Sequence, residues 1–226
     1  MLRRMLNVKD AAGCSILSRT IFKGCYELTE GRSRRFQYMG HVGLLLEHGS
    51  CVEKSNLEYA ASHFEPRDGN VALFMLLAAH TKEGVASAML HTMCSGTGIR
   101  HSHHKLIQIL LRSGANPTIA NKSRRTPRQD LRYNPEEVSK MKSDELGLSN
   151  LDKQARASLM IGLCGDFPEI LSLLQRWEDY YNDPQTGKPS DRPDEDWEAV
   201  RDSTADETLW AWLVEKNPEG YKVVEA

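Results

Sequence analysis

No apolar run in this 226-residue chain approaches the roughly 18 residues a bilayer-crossing helix needs, which excludes a transmembrane segment of that kind. Met1 to Leu6 carries two arginines, but Lys9-Asp10 follows before any apolar core, so no secretory signal is expected. The five cysteines (Cys14, Cys25, Cys51, Cys94, Cys164) are odd in number and scattered, without a C-x-x-C pair. That pattern fits a reduced intracellular compartment better than a disulfide framework. Gly96-Thr97-Gly98 lacks the third glycine and the lysine of a phosphate-cradling loop. What is abundant is ordinary: 40 % hydrophobic and 27 % charged residues, the balance of a soluble protein.

The formal net charge of −2 conceals an asymmetry. Residues 166–226 hold 16 acidic and 6 basic side chains, against 15 acidic and 23 basic in residues 1–165. A mildly basic body therefore precedes an acidic tail, read either as an interaction tail or as a solvated one.

The most informative stretch is Leu106 to Pro127, LIQILLRSGANPTIANKSRRTP. Leu106, Ile107, Ile109, Leu110 and Leu111 place apolar side chains around more than half of a short helix, which must be buried on most sides. Gly114 stands where that helix stops, since glycine accepts the left-handed conformation of a helix end. Asn116-Pro117 biases the chain to an extended or turn conformation. Thr126 then caps a new helix with its hydroxyl, and Pro127 suits the first helical position, where no N–H is needed.

The same pattern recurs. GLLLEHGS (Gly43–Ser50), FMLLAAHT (Phe74–Thr81), QILLRSGA (Gln108–Ala115) and LSLLQRWE (Leu171–Glu178) align on Leu45, Leu76, Leu110 and Leu173. Their spacings are 31, 34 and 63 residues, the last close to two periods of about 33. All four leucines are expected in the core, and Leu110→Asp is expected to unfold the middle of the array. Weaker first helices precede them: Cys14–Thr20, Ser55–Ala61, Ala88–Cys94, Thr126–Leu131 and a fifth at Ala157–Leu163 with Glu169-Ile170 in its second helix.

On the Gly-Ala-Asn-Pro and Thr-Pro junction, the Leu57/Ala60-Ala61 and Leu90-His91 pairs, and the 33-residue spacing, residues 8–178 resemble the ankyrin-repeat family. The resemblance implies an all-α fold, a solenoid of stacked helix-turn-helix units with extended fingers. It holds three to five degenerate repeats. Residues 25–35 and 96–103 read as insertions, and the polar stretch Pro135–Leu148 is a poor second helix. Residues 179–226 form an acidic linker and tail; Asp183–Asp196 is linker-like, and Glu207–Lys216 is a short helix that either docks back or serves as a linear motif.

Candidates for chemistry are weak. His91, Cys94, His101, His103 and His104 include zinc-ligand types, yet their spacing matches no zinc pattern. The family resemblance gives His91 a structural role, its ring bonded to nearby backbone, and puts Cys94 at a core alanine position, so no nucleophile–base pair is assigned. No cofactor, metal site or catalytic residue is expected.

Lys122, Arg124, Arg125, Arg128 and Arg132 form a basic cluster with Asp130 as the acid among them. An acidic protein, phosphate or nucleic acid are the candidate ligands, beside a nuclear-import signal or a merely solvated finger; without interleaved aromatics, nucleic acid is disfavoured. The family resemblance implies a monomeric, non-enzymatic scaffold in the cytoplasm or nucleus that binds a protein partner through its concave face. The expected contact residues are Glu53, Lys54, Ser55, Thr118, Asn121, Lys122, Ser123, Arg124 and Arg125. Two alternatives stand beside it: a fragment of a longer repeat protein, and an enzyme or regulatory subunit whose inserts carry the activity.

Overall fold

Leu106 to Leu111 are all buried, as are Ala72 to Ala78, because the helices that hold them are enclosed on nearly every side. The computed structural model describes residues 2–29, 35–62, 70–95, 102–131 and 167–183, with Pro193 and Glu215. Among these residues the secondary structure is helical and contains no strand. No helix among them is long and apolar enough to cross a membrane.

The helices are α1 (Leu2–Leu6), α2 (Ile16–Thr29), α3 (Arg35–Glu47), α4 (Lys54–Ser62), α5 (Asn70–Ala79), α6 (Glu83–Ser95), α7 (Ser102–Arg112), α8 (Pro127–Asp130) and α9 (Phe167–Asn182). They pack as consecutive pairs: α2 on α3, α4 on α5, α6 on α7, and α8 on α9. The first members also stack on one another, α2 on α4, α4 on α6 and α6 on α8, while α5, α7 and α9 make a second row. Asn56 Nδ2 donates to Ser18 Oγ at 2.9 Å, and each is the third residue of its helix. The starts of α2 and α4 therefore lie beside one another.

Two helix ends are closed alike. After α3, Gly49 N donates to Leu46 O and Ser50 N to Leu45 O, both at 2.9 Å. After α7, Gly114 N donates to Leu111 O at 3.1 Å and Ala115 N to Leu110 O at 2.9 Å. Gly49 and Gly114 take φ of 90° and 94°, the left-handed conformation that makes this double bond to the last turn possible. The Leu45–Leu110 alignment drawn from sequence is thus matched in hydrogen bonding. α5 ends without glycine, and there His80 N and Thr81 N bond the carbonyls of Leu77 and Ala78.

One expectation needs correction. Leu76, Leu110 and Leu173 are buried, but Leu45 is only half-buried, while Met39, Val42 and Leu46 of α3 are enclosed. Among the described residues α3 packs mainly on α2, whereas α5 packs on α4 and α7, and α7 on α5, α6 and α9. α9 packs on α7 and α8, with Ile170, Leu173, Leu174 and Trp177 buried.

Several expectations lie outside the described residues. These are the bulk of the inserts at 25–35 and 96–103, the stretch 135–148, the first helix at 157–163, His101, Arg132, Cys164 and the tail beyond Asp183. Within the tail Glu215 is helical and exposed.

Candidate functional site

The segment before α8 is a small closed finger. Asn121 begins it, and its Oδ1 accepts from Ser123 N at 2.8 Å and Arg125 N at 3.2 Å. The backbone closes over the same residues, with Asn121 N donating to Arg125 O and Arg124 N to Asn121 O, both at 2.9 Å. Short amide and carboxylate side chains form such turns because they reach their own backbone two residues on. Arg124 pays for the tightness with φ of 59°, the sole non-glycine residue with positive φ among those described. Thr126 then starts α8 as expected from Thr-Pro: Gln129 N donates to its Oγ1, Gln129 Oε1 accepts from Thr126 N, and Pro127 holds the first helical position.

Asp130, with a side chain 9 % exposed, fixes this finger to the body. Its Oδ2 accepts from Asn121 Nδ2 at 2.6 Å and from His91 Nδ1, on α6, at 2.7 Å. Arg125 Nε stands 3.4 Å from Asp130 Oδ1, and the Arg125 guanidinium also donates to Gln129 O. The other ring nitrogen of His91, Nε2, reaches Ile119 O at 2.9 Å. Asn116 closes the approach to the finger, since its N donates to Ser87 Oγ and its Oδ1 accepts from both N and Oγ1 of Thr118.

The same device precedes α2, and sequence reading did not detect it. Asp10 Oδ1 accepts from Ala12 N and Cys14 N, Asp10 N donates to Cys14 O, and Gly13 N to Asp10 O. Gly13 takes φ of 75° where the other finger has Arg124. Ser15 Oγ accepts from Ser18 N, as Thr126 does from Gln129. The usable signal was Asp-x-x-Gly ahead of a serine cap. The backbone N–H of Cys14 first, and the Arg19 guanidinium next, hold the Asp10 carboxyl below its ordinary range.

The candidate contact residues fall into two groups. Lys122, Ser123 and Arg124 are exposed on the tip of the second finger, with Arg125 47 % exposed beside them. Asn121 and Thr118 are half-buried, with their side chains engaged in the finger itself. Glu53, Lys54 and Ser55 lie at the start of α4, two first-row helices away from α8. Glu53 pairs with Lys9 at 2.9 Å, Lys54 pairs with Glu58 at 2.9 Å, and Ser55 is exposed. The connector at 53–55 and the finger at 121–125 are therefore separate, with α6 between their helices.

Arg128 leaves the basic cluster. Its Nε stands 2.7 Å from Glu178 Oε2 and its guanidinium donates to Gln175 Oε1, so it joins α8 to α9. Cys94 is fully buried; burial, reinforced by the negative charge of Asp130, pushes its thiol well above the ordinary range. No set of three or more His, Cys, Asp or Glu side chains able to hold a metal occurs among the described residues.

No protein-family model matches the chain, and no curated protein or solved structure matches it either.

Proposed function

We propose that this chain is an ankyrin-type scaffold that recognises an acidic segment of a partner protein through the finger at 121–125, without chemistry of its own. Support comes from the repeated construction: paired helices in two rows, two equal glycine caps, and two equal fingers ahead of first-row helices. The observation that carries the reading is the finger tip. Lys122 and Arg124 project from a loop whose backbone is already closed by Asn121 and anchored by Asp130 and His91. A basic tip held in one conformation loses little freedom on binding, so its charges act at small ordering cost.

The direct test is Lys122→Glu/Arg124→Glu, which reverses the tip and leaves the Asp130 network intact. An array of peptides graded by acidic content should bind the unaltered chain in proportion to acidity, with affinity falling steeply as salt rises. The double variant should lose that binding while its circular dichroism and melting temperature stay unchanged. Equal binding by both proteins sinks the reading.

A further inference from the structure

Asn7 clamps the N-terminal helix over the turn that follows α3. Its Nδ2 donates to Gly49 O at 3.0 Å and to Arg3 O at 2.8 Å, and its Oδ1 accepts from Cys51 N at 2.8 Å. The clamp lays the stem of Arg3 across Gly49 so closely that an added β-carbon would stand 3.0 Å from Arg3 Cγ. Beneath it opens a cavity of about 330 Å³, floored by Leu46, Val52 and Val85 and ringed by Arg3, His80 and Lys82. Among the described residues, no acidic one lines it.

Two features indicate what fits there. The positive groups are uncommitted: neither the Arg3 guanidinium nor the Lys82 ammonium has an ion-pair partner among the described residues. His80 Nδ1 bonds Leu76 O at 3.0 Å, which leaves Nε2 for a ligand. The second feature is the lining itself, which sets three nitrogen-bearing side chains beside the apolar Leu46, Val52 and Val85.

We infer that this cavity binds the phosphate group of a small phosphate monoester, with Arg3 and Lys82 neutralising the dianion. The volume exceeds a bare phosphate and lies near the lower end of small-molecule sites, which leaves room for a short carbon chain on the apolar floor.

Cys51 lies on the rim with an exposed thiol and reports occupancy, and Cys14, which does not line the cavity, serves as the internal reference. The experiment is calorimetry of the intact chain with glycerol 3-phosphate, inorganic phosphate and a phosphoserine peptide, beside alkylation of Cys51 at constant ionic strength. Glycerol 3-phosphate should bind one to one and slow alkylation of Cys51 but not of Cys14. Arg3→Gln and Lys82→Gln should each weaken binding about tenfold, the effect of one lost charge-assisted hydrogen bond. Three results overturn the proposal: protection by potassium chloride at the same ionic strength, undiminished protection in Arg3→Gln/Lys82→Gln, or no heat and no protection at millimolar glycerol 3-phosphate. Binding of the phosphopeptide with both free phosphates inert overturns the small-molecule assignment.

Discussion

Asn121 and Asp130, nine residues apart, are joined by a 2.6 Å hydrogen bond that ties the finger to the end of the helix it precedes. Asp10 and Arg19, also nine apart, stand in the same relation at 2.8 Å, with the acid moved from the helix to the finger. Donor and acceptor have exchanged positions while the geometry is kept. The two contacts differ in burial: Asp130 is enclosed and also receives His91, whereas Asp10 and Arg19 face solvent.

That difference sets the first prediction. Asp130→Ala strips the acceptor from Asn121 and His91 in a half-buried site, and should cost about 2–4 kcal/mol. Asp10→Ala should cost far less, because water takes over for an exposed pair. Urea denaturation of both variants checks the order. Asp10 also has a definite pH sense. Its pKa is lowered on folding, so its stabilisation is present above the unfolded value of 3.8 and is lost as pH falls through the folded one. The acid limb of the melting curve of Asp10→Asn should therefore be flatter than that of the unaltered chain.

Glycine offers a test with opposite signs. Gly114 takes φ of 94° with open space where a β-carbon would stand, so Gly114→Ala meets backbone strain alone and should destabilise by about 1 kcal/mol. Gly84 sits in the first turn of α6, exposed, with equal space and no positive φ. Gly84→Ala should stabilise by about 0.5–1 kcal/mol, by narrowing the unfolded ensemble and favouring the helix. Equal effects from the two substitutions would contradict the glycine-cap assignment.

Legibility in the sequence followed the range of the signal. The α7 stop, the Thr126 cap and the Pro127 start were readable because each depends on residues within one turn of chain. The first finger carried a local signal too, but Asp10-Ala11-Ala12-Gly13 has none of the basic residues that drew attention to the second. Arg124 in the left-handed region was not legible, since only the hydrogen bonds around Asn121 force it there. Nor was the Asp130–His91 bond, whose partners lie 39 residues apart. Arg128 looked like part of a binding surface until its contact with Glu178, far along the chain, assigned it to the interior joint.

Thiol chemistry gives a third prediction. Cys94 is enclosed, and burial first, then the Asp130 charge, hold it in the protonated form, so the nucleophilic thiolate is not populated at ordinary pH. In the folded chain, iodoacetamide should modify Cys51 and Cys14 and leave Cys94 untouched from pH 7 to pH 9, reacting there only in denaturant. Peptide mapping after timed quenching reads this directly. Native modification of Cys94 would show that α6 and α8 do not enclose it.

The joint between α8 and α9 is tested by the charge it buries. Glu178 is 6 % exposed, and Arg128 is the cation that faces it at 2.7 Å. Arg128→Ala leaves a buried carboxylate without its counter-charge and should cost about 2–3 kcal/mol, less than a fully buried pair because Arg128 itself is partly solvated. Adding Glu178→Gln removes the orphaned charge and should restore much of that loss, so the double variant melts above Arg128→Ala. Such non-additivity is what direct contact produces. If the two substitutions simply add, α9 does not seat against α8, and the fourth first-row helix has another partner.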